Sequence, residues 1–195
     1  MPVSITQNPI SMPNKLLQRI WQNADRAHSF LDFGAGQGRD SLFMAQNGWR
    51  VVAVERSPDE IAEMKKTPDF NKLPIKIIQG RAEDFEIEPD RYSIIQLFNV
   101  LQFIEKPKAL DLIQRVKNAL HPGGYIIVSG FTVDEPSYQK RPDACYFQKG
   151  QLRDLFSDFD VDFYREAVID DPGHPGKEEP HQHHVVRMIA HKVEK

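Results

Sequence analysis

A single cysteine, Cys145, stands among the 195 residues of this chain. One thiol excludes an intramolecular disulfide framework and fits a reducing compartment. Long apolar runs are missing too, and none approaches the roughly 18–20 residues that a membrane-spanning helix needs. The opening residues, MPVSITQNPISMP, lack the basic stretch and apolar core of a secretory signal and read as an irregular N-terminal segment (1–13). A cytoplasmic location with no membrane partner is therefore expected. Nor is positive charge in excess. Lys and Arg number 25 against 28 Asp and Glu, a net charge of −3, so no nucleic-acid partner is expected, since general affinity of that kind rests on basic surface. No internal repeat or linker interrupts the chain. Its composition, 40% hydrophobic and 27% charged, is that of a soluble globular protein, and residues 1–195 fit one domain with a substantial core.

What is present is organised around one glycine-rich stretch, Leu31-Asp32-Phe33-Gly34-Ala35-Gly36-Gln37-Gly38-Arg39-Asp40. It follows a short apolar segment (30–33) and enters a helical pattern (39–47) that stops at Gly48, a C-cap residue. Strand, glycine turn and helix in that order form the first half of a nucleotide-binding βαβ unit. Glycine takes positive φ and carries no Cβ, so Gly34, Gly36 and Gly38 would let a ligand approach the backbone closely. The spacing is G-x-G-x-G. A dinucleotide fingerprint, G-x-G-x-x-G, needs glycine at position 39, where Arg39 would collide with close helix–strand packing. The alternative ligand is a nucleoside with a flexible cationic tail, whose ammonium suits Asp32. A second, β-branched strand (50–55) ends in Glu55, 23 residues after Asp32. That is close to the interval at which a strand-end carboxylate reaches the two hydroxyls of a ribose. Ser57-Pro58-Asp59-Glu60 reads as a helix start, with Ser57 as N-cap and Glu60 three residues on. Further strands are predicted over 75–78, 92–98, 125–129, 160–164 and 184–192, and helices over 14–27, 107–120 and 148–156. The irregular stretch 132–147 is a candidate substrate lid.

At LDFGAGQG the sequence resembles the motif of class I S-adenosylmethionine-dependent methyltransferases, which reads apolar-Asp/Glu-x-Gly-x-Gly-x-Gly. Every defined position matches. The resemblance implies an α/β fold: a Rossmann-like seven-stranded, mostly parallel sheet in the order 3-2-1-4-5-7-6, strand 7 antiparallel, with helices on both faces. It implies S-adenosylmethionine as cofactor and S-adenosylhomocysteine as product. Cofactor contacts are then expected at Asp32, Gly34, Ala35, Gly36, Gly38, Glu55, Arg56, Ala82, Glu83, Asp84, Phe98 and Asn99. Gly80-Arg81-Ala82-Glu83-Asp84-Phe85 is similar to the family's acidic loop beside adenine. There Asp84 would accept from the adenine amino group, Ala82 or Glu83 would offer a backbone N–H, and Phe85 an apolar wall. Arg81 departs from the acid often found there. In the family, a segment placed like 14–27 lies over the cofactor. The apolar face of Leu16, Leu17, Ile20 and Trp21 is equally well explained as core packing. The end of the fourth strand, FNVLQF, falls where family members line the methyl-transfer pocket, with Asn99 and Gln102 placed to hold polar substrate atoms. The passage from helix through His121-Pro122-Gly123-Gly124 to the next strand is again a family feature.

Five of seven histidines follow residue 173: His174, His181, His183, His184 and His191. No metal site is expected, because His181, His183 and His184 cannot all face one way on a strand. Alternation puts His184, Val186, Met188 and Ala190 on one face and His183, Val185, Arg187 and Ile189 on the other. This tail, with Gln37-Gly38-Arg39-Asp40-Ser41 and Asn47-Gly48-Trp49, resembles the tellurite-resistance and thiopurine-type small-molecule methyltransferases. In that subgroup His and Arg from the last hairpin approach the substrate. His184 and Arg187 are thus the candidate catalytic contacts, with His174, Asn99 and Gln102 beside them.

The expected function is methyl transfer from S-adenosylmethionine to a small-molecule acceptor, with thiols and chalcogen species as candidates. A strong general base is needed only for a hydroxyl or a protonated amine. A soft anionic acceptor needs desolvation and a cationic neighbour, which Arg187 or a protonated histidine would provide. Arsenite fits poorly with one cysteine. Three rivals stand against this reading: a non-catalytic S-adenosylmethionine-binding protein, a methyltransferase acting on a macromolecule, and an NAD-dependent oxidoreductase. The macromolecular rival lacks the Asn/Asp-Pro-Pro-aromatic motif used on nucleobase amines, and the last lacks the correct glycine spacing.

Overall fold

The apolar runs become seven strands in a computed structural model that describes residues 12–173 and 178–193. These are β1 (Ser29–Phe33), β2 (Val51–Glu55), β3 (Ile75–Gln79), β4 (Tyr92–Phe98), β5 (Leu120–Phe131), β6 (Phe159–Asp171) and β7 (His181–Lys192). They join one sheet in the order β3-β2-β1-β4-β5-β7-β6. β1 to β5 run parallel, and β7 is antiparallel to both β5 and β6. This is the expected Rossmann-like order. The helices are α1 (Leu17–Ile20), α2 (Arg39–Gln46), α3 (Pro58–Lys65), α4 (Lys106–Ala119) and α5 (Gln151–Leu155).

Side-chain alternation along β1 sorts the core into two layers. Leu31 and Phe33 pack with Ile95, Leu97, Ile126 and Val128 against α4 and α5, where Ile113, Val116 and Leu152 are buried. Phe30 points the other way, with Ile94, Ile127 and Ile189, against α1, α2 and Met64 of α3. Helices therefore cover both faces. β7 follows its predicted alternation: Val186, Met188 and Ala190 join the first layer and Ile189 the second.

Four expectations need correction. The helix predicted over 14–27 is one turn long (Leu17–Ile20); Asn23 and Ala24 N–H then bond Ile20 O in irregular turns, and Asp25 Oδ1, accepting from Ala27 N–H at 2.9 Å, makes an Asx turn before β1. Leu16, Leu17 and Ile20 are nonetheless buried, so this segment packs into the core. The Pro-Gly-Gly passage lies inside β5 as a bulge, since Tyr92 pairs Leu120 while Ile94 pairs Tyr125. β6 and β7 are longer than predicted and pair out to Asp171 opposite His181. The candidate lid is anchored rather than free. Cys145 N–H donates to Ile104 O at 2.9 Å, Phe147 N–H to Phe131 O at 2.9 Å, and both side chains are fully buried.

Candidate active site

In a parallel sheet, ligands sit beyond the carboxyl ends of the strands where the strand order reverses. Here that point lies between β1 and β4. A cavity of about 210 Å³ opens there, lined by Gly34 after β1, Glu55 and Arg56 at the end of β2, Gly80 to Glu83 after β3, and Asn99 after β4. Val100, Phe103 and Ile104 form its apolar wall. Arg56 and Phe103 face each other across the mouth, guanidinium carbon to ring centre 5.6 Å.

The glycines of the turn divide their work. All three take positive φ, at 68°, 55° and 84° for Gly34, Gly36 and Gly38. A Cβ on Gly38 would lie 2.5 Å from Met64 Cγ, whereas one on Gly36 would meet nothing nearer than Glu60 Oε2 at 3.9 Å. Gly38 thus serves the packing of α3, and the open space belongs to Gly36. Arg39 makes no collision. Its side chain is half-exposed and pairs with Asp40, Nε to Oδ1 2.9 Å, because Gly38 has taken over the close-packing role. Ala35 N–H donates to Val54 O, which holds the turn onto β2.

Glu55 is 8% exposed, and its carboxylate fixes the turn: Oε2 accepts from Gly36 N–H at 2.9 Å and Oε1 from Ser57 N–H at 2.8 Å. Each oxygen keeps acceptor capacity for a hydroxyl. Asp32 is sealed in a polar network beneath the turn. Its oxygens accept from Ser41 Oγ (2.7 Å) and Gln96 Nε2 (3.0 Å), and Gln96 Nε2 also donates to Asp40. Asn14 Nδ2 bonds both Asp40 and Gln96. Burial, and then the neighbouring Asp40 carboxylate, push the Asp32 carboxyl up to about 7. Asp40 is buried too, yet the hydrogen bonds from Arg39 and Asn14 hold it below the ordinary value.

In the acidic loop, Glu83 and Ala82 line the cavity, while Asp84 is 70% exposed on its side chain and lies off the lining. Phe85 turns inward onto Phe33, ring centres 6.0 Å apart, and builds no cavity wall. At the end of β4, Asn99 has φ 58° and its Oδ1 accepts from Ser129 Oγ at 2.8 Å. A left-handed non-glycine residue at a strand end is a strained placement of the kind found at functional sites. Gln102 is 4% exposed with Oε1 unbonded among the described residues.

Arg187 lies across β5 from Ser129 and across β6 from Arg165. Its guanidinium is 5.9 Å from the Phe98 ring, and its buried Nε has no hydrogen-bond partner among the described residues. Burial, then Arg165, lower its pKa from the usual value. The structure does not bring His184 to Arg187. The two lie on opposite faces of β7, and the His184 backbone is tied to Thr132 and Glu135. His174 lies outside the described residues. Arg165 and Arg19, the latter 4.3 Å from the Phe163 ring, were missed by sequence reasoning. The strand alternation would have placed Arg165 once the hairpin register was known.

Comparison with known proteins agrees with this geometry. A family profile described as a methyltransferase domain matches residues 30–124. A probable S-adenosyl-L-methionine-dependent methyltransferase, TehB of Haemophilus influenzae, is 26% identical over 139 residues, covering 71% of this chain and 48% of that protein. Its crystal structure superposes with a TM-score of 0.73 at 20% identity over 91% of this chain and 60% of that one, a likeness of fold. Residues 30–124 thus match a methyltransferase domain, and the chain is similar to S-adenosylmethionine-dependent methyltransferases. Similar too are Hemagglutinin 1 of Eikenella corrodens, 31% identical over 144 residues (71% of this chain, 46% of that protein), and a carboxy-S-adenosyl-L-methionine synthase of Colwellia psychrerythraea, 32% over 121 residues (59% and 48%). The chain spans about half the length of these curated relatives. The family's cofactor, S-adenosylmethionine, fits what the turn offers: open space over Gly36, a carboxylate at Glu55 for a diol, and a narrow cavity walled by Val100 and Ile104. Among the described residues no helix is long and apolar enough to cross a membrane.

Proposed function

We propose that this chain, acting as one domain, transfers a methyl group from S-adenosylmethionine to a small anionic or thiolate acceptor. The observation that carries the acceptor class is Arg187, a half-buried cation with an unbonded Nε beside the end of β4. Glu55, Gly36, Ala82 and Glu83 would hold the nucleoside, and Arg56 with Phe103 would close the mouth. When bound, the cofactor supplies a methyl group on a positively charged sulfur that leaves readily. The protein's part is orientation and exclusion of water, which together are worth roughly 7–11 kcal/mol in favourable cases. Arg187, with Arg165 and Arg19 on the same side of the sheet, holds an anionic acceptor by charge-assisted hydrogen bonds. Chalcogen oxyanions fall in that class. Asn99 and Gln102 orient its polar atoms. Cys145 is no nucleophile, because burial pushes its thiol up to about 11.

Calorimetric titration of S-adenosylmethionine, S-adenosylhomocysteine and NAD into wild type and Gly36→Val tests the first half. Micromolar binding of both sulfur compounds, lost in the variant and absent for NAD, is expected. Turnover with a panel of thiols and chalcogen oxyanions tests the second. Binding without turnover of any acceptor favours a carrier or sensor, and binding of NAD alone overturns the reading.

A further inference from the structure

The tip of the β6–β7 hairpin carries a second cluster, on the same face of β7 as Arg187. His181 and His183 are two residues apart, so they share a side of the strand, and Asp171 joins them from β6, directly opposite His181 in the register. Their candidate ligand atoms all lie within 4.8 Å of one another. His181 Nε2 and His183 Nε2 stand 2.9 Å apart, and His183 Nε2 is 3.7 Å from Asp171 Oδ2.

The hydrogen-bond partners on the far side of each ring fix what those Nε2 atoms are. His181 Nδ1 is 2.8 Å from Glu179 O, a carbonyl that can only accept. His183 Nδ1 is 3.1 Å from Glu135 Oε1, and that carboxylate, 4% exposed, also accepts from His184 N–H at 2.8 Å. Each neutral imidazole therefore carries its hydrogen on Nδ1 and its lone pair on Nε2. Two lone pairs face each other across 2.9 Å, with a carboxylate oxygen alongside. A cation between the three atoms, a metal ion or a proton held between the rings, relieves that repulsion.

We infer that Asp171, His181 and His183 form a binding site for a divalent transition metal of the zinc class. Donors about 2.0–2.1 Å from a tetrahedral zinc stand roughly 3.3 Å from one another, and the spacings of 2.9 and 3.7 Å bracket that value. Imidazole and carboxylate donors suit zinc, and three protein ligands leave a fourth position open. Glu135 behind His183 is the carboxylate that orients a metal-bound histidine and raises its basicity. Phe131 stacks on the same ring, centres 4.8 Å apart at 18°. The expectation of no metal considered only His181, His183 and His184, which cannot share one face of a strand. The third ligand comes from the neighbouring strand, not from His184. A bound ion would clip the hairpin tip to the 132–147 segment through Glu135. This site stands independently of the methyl-transfer reading.

Tag-free protein, stripped with chelator and dialysed, would be titrated with zinc chloride by calorimetry and with cobalt(II) by absorbance. One equivalent per chain is expected, with cobalt ligand-field bands. Asp171→Asn and Glu135→Gln should weaken binding about 10- to 100-fold, and His181→Ala/His183→Ala should abolish it. His191→Ala, which touches Asp160 and Asp162 instead, should bind as wild type does. X-ray absorption of zinc-loaded wild type reads the ligands without any variant, and two imidazole nitrogens are expected. No uptake by wild type, unchanged affinity in the double variant, or a shell without imidazole would each overturn the site. So would nitrogen NMR showing a shared proton between the rings and no metal response.

Discussion

Asp32 is the residue whose chemistry is most altered by the fold. Its carboxyl is raised to about 7 by burial and by Asp40, so the native state binds a proton there that the unfolded chain, at its ordinary value near 4, has lost. Between those two values the folded protein holds more protons than the unfolded one. Stability contributed by this group is therefore full below pH 4, falls as pH rises to about 7, and is gone above it. The slope is at most about 1.4 kcal/mol per pH unit. Asp32→Asn removes the charge while its amide can still bond Ser41 and Gln96. Denaturant unfolding at several pH values should show the decline in wild type and a flatter profile in the variant. A matched pair at the turn separates two roles of glycine. Alanine at either position is strained by about 1–2 kcal/mol in the left-handed region. Gly38→Ala should also displace Met64, lowering stability further while sparing ligand affinity. Gly36→Ala should do the reverse, which calorimetry and thermal melts on both variants would reveal.

At the scale of single elements, β7 separates its two faces between Arg187 and His184, and only the former lies on the side of Phe98 and Ser129. Arg187→Gln should leave S-adenosylhomocysteine affinity unchanged and raise KM for an anionic acceptor. A charge-assisted hydrogen bond worth roughly 1.5–3 kcal/mol corresponds to about ten- to hundredfold. An equal loss after His184→Ala, with Arg187→Gln neutral, would reverse the assignment. How far these elements can be read from sequence depends on what terminates them. β4 is bounded by polar residues on both sides and is predicted residue for residue. β6 is under-predicted because its outer half, Arg165-Glu166-Ala167-Val168-Ile169-Asp170-Asp171, lacks a period-2 alternation and forms a strand by pairing with β7. The cavity's glycines, Glu55 and Ala82 are legible because backbone freedom and a strand-end carboxylate leave local signatures. Arg165, Arg19 and the Asp171–His181–His183 group leave none, since their meaning lies in cross-strand register. Glu83 lines the cavity and Asp84 does not for a similar reason: a single 3-10 turn, Ala82–Asp84, decides which side chain turns inward.

Taken whole, the molecule gathers its cavity from the ends of four strands that are spread across one half of the sheet. A ligand there touches segments far apart in sequence, from Gly34 to Ile104, which the unfolded chain cannot bring together. Binding therefore acts on the native state alone and adds stability as RT ln(1 + [L]/Kd). At a free concentration one hundred times Kd the gain is about 2.7 kcal/mol. For a chain of this length each kcal/mol moves Tm by roughly 2–4 °C, so saturating S-adenosylhomocysteine should raise Tm by about 5–11 °C. Gly36→Val should melt lower from backbone strain and show no ligand shift, which distinguishes a lost site from a lost fold. NAD at the same concentration should leave wild type unmoved, because the three glycines are spaced G-x-G-x-G and not G-x-G-x-x-G as in a dinucleotide seat. If NAD gave the larger shift, the open space over Gly36 would be a dinucleotide seat, and the spacing argument from Arg39 onward would fail with it.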